Sequence, residues 1–526
     1  MTPGELIEQP FGTYAELIHA HALARPDHPA LIQDDRRVSF ATLDAMMDRV
    51  AATLQRDGIL PTEAVAICAG TSLEYAAVFL GALRAGVAVA PLAPSSTAQS
   101  LADMAANAEA RLIFVDTTTA QELSAVHADI AARFITLDDG ADGEAFSKWL
   151  APAGSVPEKI AIRPEWPFNI IYSSGTTGTP KGATLTHHNI LNNGFFIGEA
   201  MRLTPDDRLC IPVPLYHCFG MVLGNLACVT HGSTMVYPAE GFDPLATLQV
   251  VAAERCTALH GVPTMFIAML DHPQFSGFDL SALRTGIMAG SPCPVEVMKR
   301  VVDRMNMHEV TIAYGMTETS PVSFQSSTDD PLDRRVSTVG RIQPHVEVKV
   351  VDADGRIVPR GTPGELLTRG YSVMLGYWND PERTAEAIDG AGWMHTGDMA
   401  TIDAEGYCNI VGRIKDMIIR GGENIYPREV EEYLFRHPKV QDVQVVGLPD
   451  KKYGEELCAW IVLREGQKAT EADIRAFCDG QIAHYKIPKY IRFVESFPMT
   501  VTGKVQKYLI RQKMKDELAL VEDKTA

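Results

Sequence analysis

Residues 173–182 read Ser-Ser-Gly-Thr-Thr-Gly-Thr-Pro-Lys-Gly, and they follow an apolar run, Phe168-Asn169-Ile170-Ile171-Tyr172, patterned as a buried strand. A strand feeding a loop of small hydroxyl residues is the sequence context of an anion-binding concavity. Gly175, Gly178 and Gly182 permit positive φ and close backbone approach. The hydroxyls of Ser173, Ser174, Thr176, Thr177 and Thr179 can donate, and Lys181 brings a cation. The stretch therefore points to phosphate and, through it, to a nucleotide. Gly182 directly follows Lys181, so the Gly-x-x-x-x-Gly-Lys-Ser/Thr order is absent and an ordinary P-loop nucleotidase is disfavoured. The competing reading, a flexible polar linker, fits poorly with a single Lys beside a Pro directly after an apolar strand.

Outward from this loop, between about residues 38 and 350, strand-like runs at 64–69, 87–91 and 112–115 alternate with helical patterns at 73–85 and 101–108. That alternation predicts an α/β fold of parallel-rich sheets covered by helices. Between about 337 and 412 the texture changes to short strands with turn signals, Asp352-Ala-Asp-Gly355, Pro363-Gly364 and Asp403-Ala-Glu-Gly406, which predicts a small β-barrel-like region. A composition shift at Gly412-Arg413-Ile414-Lys415-Asp416 sets the expected boundary between an N-terminal domain, 1–412, and a smaller α+β domain, 413–526. The latter is patterned as a helix over 427–436, strands over 440–446 and 456–463, and a helix over 471–482.

With 526 residues, 46% of them hydrophobic, the chain can bury a large core in more than one domain. A net charge of −19 argues against a nucleic-acid or anionic-membrane binder, so phosphate must be held by a local site. Nine scattered cysteines without a Cys-x-x-Cys pair fit a reducing cytoplasm better than a disulfide framework or a zinc site. The amino terminus lacks the basic and apolar regions of a signal peptide. The most apolar window, 75–93, is broken by Arg84 and reads as a buried helix followed by a strand, not an integral membrane segment.

The loop belongs to a larger set: Tyr314-Gly-Met-Thr-Glu318, Thr396-Gly-Asp398, Gly412-Arg-Ile-Lys415 and Pro498-Met-Thr-Val-Thr-Gly-Lys504. Together these motifs, in order and over nearly the whole chain, resemble the adenylate-forming superfamily, and within it the fatty-acyl and 4-coumarate-type CoA ligases. The resemblance implies that a carboxylic acid attacks the α-phosphate of ATP, giving acyl-adenylate and pyrophosphate, and that the thiol of coenzyme A then displaces AMP. Positioning and electrostatic stabilisation should dominate both steps.

By the same resemblance, Lys504 bridges the carboxylate and the α-phosphate, Thr317 bonds phosphate or carboxylate, and Glu318 binds Mg2+ with Thr176 beside it. Tyr314 stacks on adenine, with Gly290, Ser291, Gly315 and Met316 also on the nucleotide side. Asp398 accepts from the ribose hydroxyls and Arg413 donates to the same sugar, although an ion pair between these two is the alternative reading. Lys415 is the expected hinge, about which the C-terminal domain withdraws Lys504 and brings Gly421, Gly422 and Asn424 toward the pantetheine arm. His217 takes the position of an aromatic gate between acyl pocket and CoA tunnel, a general-base role being secondary and a satisfied core histidine the bland alternative. Lys181 is a phosphate contact rather than the catalytic lysine.

The segments that line the acid pocket in this family supply Phe219, Val222, Gly261, Met265, Ala289, Gly290, Ala313, Gly315 and Val322, all small or apolar. Such a lining suits an uncharged aliphatic or aryl tail and penalises a second carboxylate or an amine. Ile419 stands where luciferases and plant coumarate ligases carry a second Lys, which favours a fatty-acyl-type ligase. Two rivals differ in class. An adenylating enzyme that loads a separate carrier protein would need an acceptor surface or carrier domain, which the sequence does not display. A catalytically dead nucleotide sensor would not be expected to keep Lys181, Glu318, Asp398 and Lys504 together. A homodimer is compatible with this sequence.

Overall fold

The computed structural model describes residues 1–140, 142–173, 181–291, 293–499 and 505–520. Two compact units emerge: Met1–Val348 with Thr368–Met394, and Lys349–Leu367 with His395–Ala526. The linear boundary expected at 412 falls inside the second of these.

The first unit holds two large sheets. One has eight strands in the order Gly376–Tyr377, Lys181–Thr186, Pro167–Ser173, Ala88–Pro91, Ala64–Cys68, Leu112–Val115, Arg133–Thr136 and Glu144–Ala145. The last six are parallel and the first two antiparallel. Its central strands Ala88–Pro91, Ala64–Cys68 and Leu112–Val115 are apolar and buried throughout because both faces are covered, which is the pattern of a parallel sheet under helices. The other has nine strands, with six consecutive parallel ones in the order Glu309–Gly315, Thr285–Ala289, Ala258–Leu259, Arg208–Cys210, Thr234–Tyr237 and Pro29–Gln33. Antiparallel strands close its edges: Arg36–Ser39 on one side, Val322–Gln325 and Arg341–Ile342 on the other.

The apolar window at 75–93 resolves into the helix Leu73–Arg84 and the strand Ala88–Pro91. Ser72 caps the helix by accepting the Tyr75 N–H at 3.1 Å. Arg84, which interrupts the run, is largely buried and satisfied by Asp44 at 2.5 Å and Asp48 at 2.7 Å, so its charge does not stand alone in the core. Among the described residues no helix is long and apolar enough to cross a membrane.

The short-stranded region is a four-stranded sheet in the order Val346–Val351, Gly364–Gly370, Met394–Ile402, Cys408–Arg413. The second unit also contains a five-stranded sheet built on Gly454–Leu463, which pairs antiparallel with Val440–Asp450 and Ile418–Arg420 and parallel with Tyr490–Phe493. The helix expected over 471–482 stops at Cys478, because Asp479 is extended and Gly480 takes φ +67°. The helix expected over 427–436 likewise ends early, at Leu434.

Candidate active site

The ends of the phosphate-loop motif are brought together by sheet pairing. Ser173 is in register with Lys181 and Tyr172 with Gly182, so 174–180 connects two antiparallel neighbours. Ser174, Gly175, Thr176, Thr177 and Gly178 lie outside the described residues. The reading of Gly182 as a loop glycine of positive φ is corrected by its position: it sits inside the strand Lys181–Thr186. There a Cβ would meet the Ile170 side chain at 2.8 Å and the Tyr172 ring at 3.1 Å, so cross-strand packing, not loop freedom, calls for glycine.

Downstream, the strand Glu309–Gly315 delivers Tyr314, whose ring lies 6.2 Å from that of Phe324, and breaks into a short turn of helix at Thr317–Thr319. The turn is locked reciprocally, with the Met316 N–H donating to Thr319 Oγ1 at 3.2 Å and the Thr319 N–H to the Met316 carbonyl at 2.8 Å. Gly315 is obligatory here, since a Cβ would stand 1.7 Å from the Pro321 carbonyl oxygen. The turn buries Glu318, whose Oε1 accepts the Tyr377 phenol at 2.9 Å. The Lys181 ammonium lies over the ring of the same tyrosine, 5.2 Å from its centroid. Burial, reinforced by the adjacent Glu318 carboxylate, pushes the Tyr377 phenol well above its usual range, so it stays a donor at any ordinary pH. Two expected site residues, Lys181 and Glu318, are thus joined through a tyrosine that the sequence did not single out.

The expected acyl-pocket residues converge at the carboxyl ends of parallel strands, where ligands of open α/β sheets bind. Gly261 bridges Met288 just past Ala258–Leu259, Ala289 pairs with Ala313, and Gly315 pairs with Val322. Gly290 follows with φ +91°, and Ser291 comes next in the chain. Met265 is buried in the helix Pro263–Leu270. Phe219 and Val222 are buried in a stretch of π-helix, Phe219–Leu226, a wide helical form found at functional sites. Gly220 permits its start, since a Cβ would lie 2.3 Å from the Pro214 oxygen and 2.5 Å from the Val213 oxygen.

At the head of this helix, His217 Nδ1 accepts the Phe219 N–H at 3.1 Å, which puts the proton of the neutral ring on Nε2 and disqualifies Nδ1 as a general base. Cys218 Sγ stands 3.9 Å from His217 Nδ1 and 4.0 Å from Thr317 Oγ1, bringing the expected gate and the expected phosphate-binding threonine to one thiol.

A second residue absent from the sequence reading is His260. It is wholly buried; Nδ1 accepts the Ile287 N–H at 3.1 Å and Nε2 donates to the Leu223 carbonyl at 2.9 Å, while the ring packs 5.4 Å from Phe219. Burial lowers it from 6.5 to about 4, keeping it neutral. In the sequence it is a lone His in an apolar run beside Gly261, with no signal to separate it from an ordinary core residue.

In the second unit, Asp398 is buried on Met394–Ile402 directly opposite Arg413, with Arg413 Nε 3.3 Å from Asp398 Oδ1. The ion-pair alternative is therefore realised. Lys415 lies exposed in a short turn, Ile414–Asp416. Gly421 and Gly422, with φ +60° and +89°, make the two-residue turn of the hairpin Ile418–Arg420 to Glu423–Ile425, in which Arg420 pairs with Glu423 and the exposed Asn424 with Ile419. Positive φ at both central residues is what such a turn demands, a reason for glycine independent of any ligand. Lys504 lies outside the described residues.

Comparison with known proteins agrees with this geometry. The AMP-binding enzyme model matches residues 18–378, and the AMP-binding enzyme C-terminal domain matches 429–504. The Bacillus subtilis protein YngI is 44% identical over 95% of this chain and 97% of its own. The mitochondrial medium-chain acyl-CoA ligase of Homo sapiens is 38% identical over 97% of this chain and 88% of its own. The crystal structure of an anthranilate CoA ligase in complex with anthranoyl-AMP, 26% identical, superimposes with a TM-score of 0.91 over 99% of this chain and all of that one. The chain belongs to the AMP-binding enzyme family.

Proposed function

We propose that this chain is an ATP-dependent carboxylic acid–CoA ligase whose acid carries an apolar tail, a medium-chain fatty acid or an aryl acid. The observation that carries the reading is the convergence of Gly261, Ala289, Ala313 and Val322, all small or apolar, at strand ends adjoining the turn that presents Thr317 and Glu318, with Phe219 of the π-helix packed on His260 beside Gly261. The medium-chain specificity in the name of the human relative supports the aliphatic option. Nine free, buried cysteines support the expected reducing cytoplasm.

In the first half-reaction a carboxylate oxygen bonds to the α-phosphorus while the bond to the pyrophosphate oxygen breaks. Lys504 compensates the charge developing on the α-phosphoryl oxygens, and Lys181 holds the polyphosphate. In the second, the CoA thiol gives up its proton to solvent, its sulfur bonds to the acyl carbon, and the bond from that carbon to the phosphate oxygen breaks so that AMP leaves, with Gly421, Gly422 and Asn424 serving the pantetheine arm and Lys415 the hinge. Asp398 and Arg413 serve the ribose. His217 gates the thiol's approach. Among the described residues no three His, Cys, Asp or Glu side chains converge as a metal cage. Glu318, a buried hard-oxygen donor, would hold Mg2+, with Thr176 as the second protein donor. When bound, that ion supplies charge neutralisation on the polyphosphate.

The test is a panel of carboxylic acids scored by CoA-dependent AMP formation, run beside Lys504→Ala. Octanoate-like or cinnamate-like acids should be turned over, and K504A should slow ATP–pyrophosphate exchange by roughly 10²–10³-fold. Turnover of dicarboxylates alone would refute the apolar pocket, and unchanged exchange in K504A would remove its role. Acyl transfer to a carrier protein without CoA turnover would favour the carrier-loading alternative.

A further inference from the structure

Tyr377 lies outside the motifs quoted above, yet three backbone restraints hold it in place. It pairs with Ala183 beside the phosphate-loop strand, its N–H donates to Thr384 Oγ1 at 2.8 Å, and it bridges Asp380. Gly376, at φ +151°, sits so close to Thr384 that a Cβ would meet Thr384 Cγ2 at 2.8 Å, which leaves the strand one seating against the helix Pro381–Ala387. From this fixed backbone the phenol reaches Glu318 Oε1 at 2.9 Å, and its ring underlies the Lys181 ammonium.

We propose that Tyr377 is the positioning residue of the metal site: by holding Oε1 of Glu318 it presents the other carboxylate oxygen to Mg2+. This rests on the reading of Glu318 as the metal-binding carboxylate. Glu318 is carried on a turn only three residues long, Thr317–Thr319, and a free Glu side chain samples many rotamers. A partner from a different, rigid strand removes that freedom before the metal arrives. Groups that orient a metal ligand in this way typically change affinity by roughly 10–100-fold when removed.

The variant Tyr377→Phe deletes one hydroxyl and keeps the ring over Lys181. Two quantities should be measured on the full chain. One is the Mg2+ concentration for half-maximal ATP–pyrophosphate exchange at saturating ATP. The other is Mn2+ bound, counted by electron paramagnetic resonance, in the presence of an α,β-methylene ATP analogue that cannot be adenylated. We expect Y377F to raise the half-saturating metal concentration by roughly 10-fold or more and to weaken Mn2+ binding by a similar factor, with a smaller change in the ATP KM at saturating metal. Glu318→Gln is the reference. If E318Q shifts metal binding and Y377F does not, the assignment of Tyr377 is overturned while Glu318 keeps its role. If E318Q leaves metal binding unchanged, the reading of Glu318 fails and the role of Tyr377 falls with it. An equal loss of ATP and metal affinity in Y377F, undone by saturating ATP, would mark Tyr377 as a nucleotide contact and also overturn it.

Discussion

His260 offers the sharpest link between a buried hydrogen bond and the shape of the acyl pocket. Substituting Phe keeps an aromatic ring of similar size against Phe219 but removes both polar atoms, so the buried Ile287 N–H loses its partner and the Leu223 carbonyl, which sits inside a helix, loses its bond from the ring. The orphaned N–H costs about 1–3 kcal/mol and the lost bond to the carbonyl about 0.5–1.5 kcal/mol, so the substitution should destabilise the local structure by about 2–4 kcal/mol. Leu223 lies in the middle of the π-helix Phe219–Leu226, and its carbonyl is the tether between that helix and the strands that end at Leu259 and Ala289. Without the tether, the wide turns should relax toward α-helical pairing, which rotates Phe219 and Val222 relative to Gly261.

Two assays read these effects separately. Hydrogen exchange on the full chain should show protection of 219–226 and 285–289 reduced by a factor corresponding to about 2 kcal/mol or more. The chain-length profile of CoA-dependent AMP formation, from butyrate to dodecanoate, should broaden or shift its optimum, because a pocket wall has moved. Lost protection with an unchanged profile would confine His260 to a structural role. Unchanged protection would refute the tether itself.

Acidification should destabilise the first unit before the second. Burial holds His21, His187 and His260 at about 4 against an ordinary 6.5, so between these pH values the unfolded chain binds protons that the folded one refuses. Stability then falls as pH drops through 6.5 toward 4, by up to about 3 kcal/mol per histidine at about 1.4 kcal/mol per pH unit. Exchange protection followed from pH 7 to 4.5 should decline first in the helices and strands that carry or contact these residues, and a flat response would refute it. Asp442 behaves oppositely: burial lifts its carboxyl from 3.8 to about 6, so its ionised form costs stability as pH rises through that window. Asp442→Asn should strengthen protection of 440–446 by about 1–3 kcal/mol at pH 7.5 and by much less at pH 4.5. Loss of protection at pH 7.5 would mean that the carboxylate's bond from the Val443 N–H and its attraction to Lys507 outweigh burial. Gly220→Ala forces a Cβ against two carbonyl oxygens and should cost about 1–3 kcal/mol, with at least a tenfold loss of kcat/KM for the preferred acid. A fully active, equally stable G220A would show that the 213–220 segment yields freely.

How much of this was legible in the sequence depended on whether the signal was local. Alternating apolar runs and helix periods between 64 and 115 foretold parallel strands and their helices to within a residue or two at most ends, because burial on both faces writes itself into consecutive residues. Helix 471–478 was overextended: residues 479–482 continue the apolar spacing, while the left-handed Gly480 stops the helix. Gly182 was misassigned to the loop because a glycine demanded by a cross-strand neighbour looks the same in sequence as one demanded by a turn. Tyr377 and His260 could not be found at all. Their partners, Glu318, Leu223 and Ile287, lie 27 to 59 residues away and meet them only through sheet topology.

The residues in the candidate site are not equally informative about function, and the fold says why. Gly421 and Gly422 are required by their hairpin, and Arg413 has a ready partner in Asp398, so loss of activity on changing them would not separate a ligand contact from a damaged turn or sheet. Glu318 is different. A carboxylate buried on a three-residue turn, with a phenol as its hydrogen-bond partner among the described residues, is an expense that packing alone does not explain. Replacing it by Gln should keep the Tyr377 bond and relieve the buried charge, so stability should hold or rise while metal-dependent exchange falls. A stability gain coupled to an activity loss is the mark of a residue kept for chemistry. If E318Q instead loses stability and activity together, Glu318 holds the fold, and the metal must be sought elsewhere.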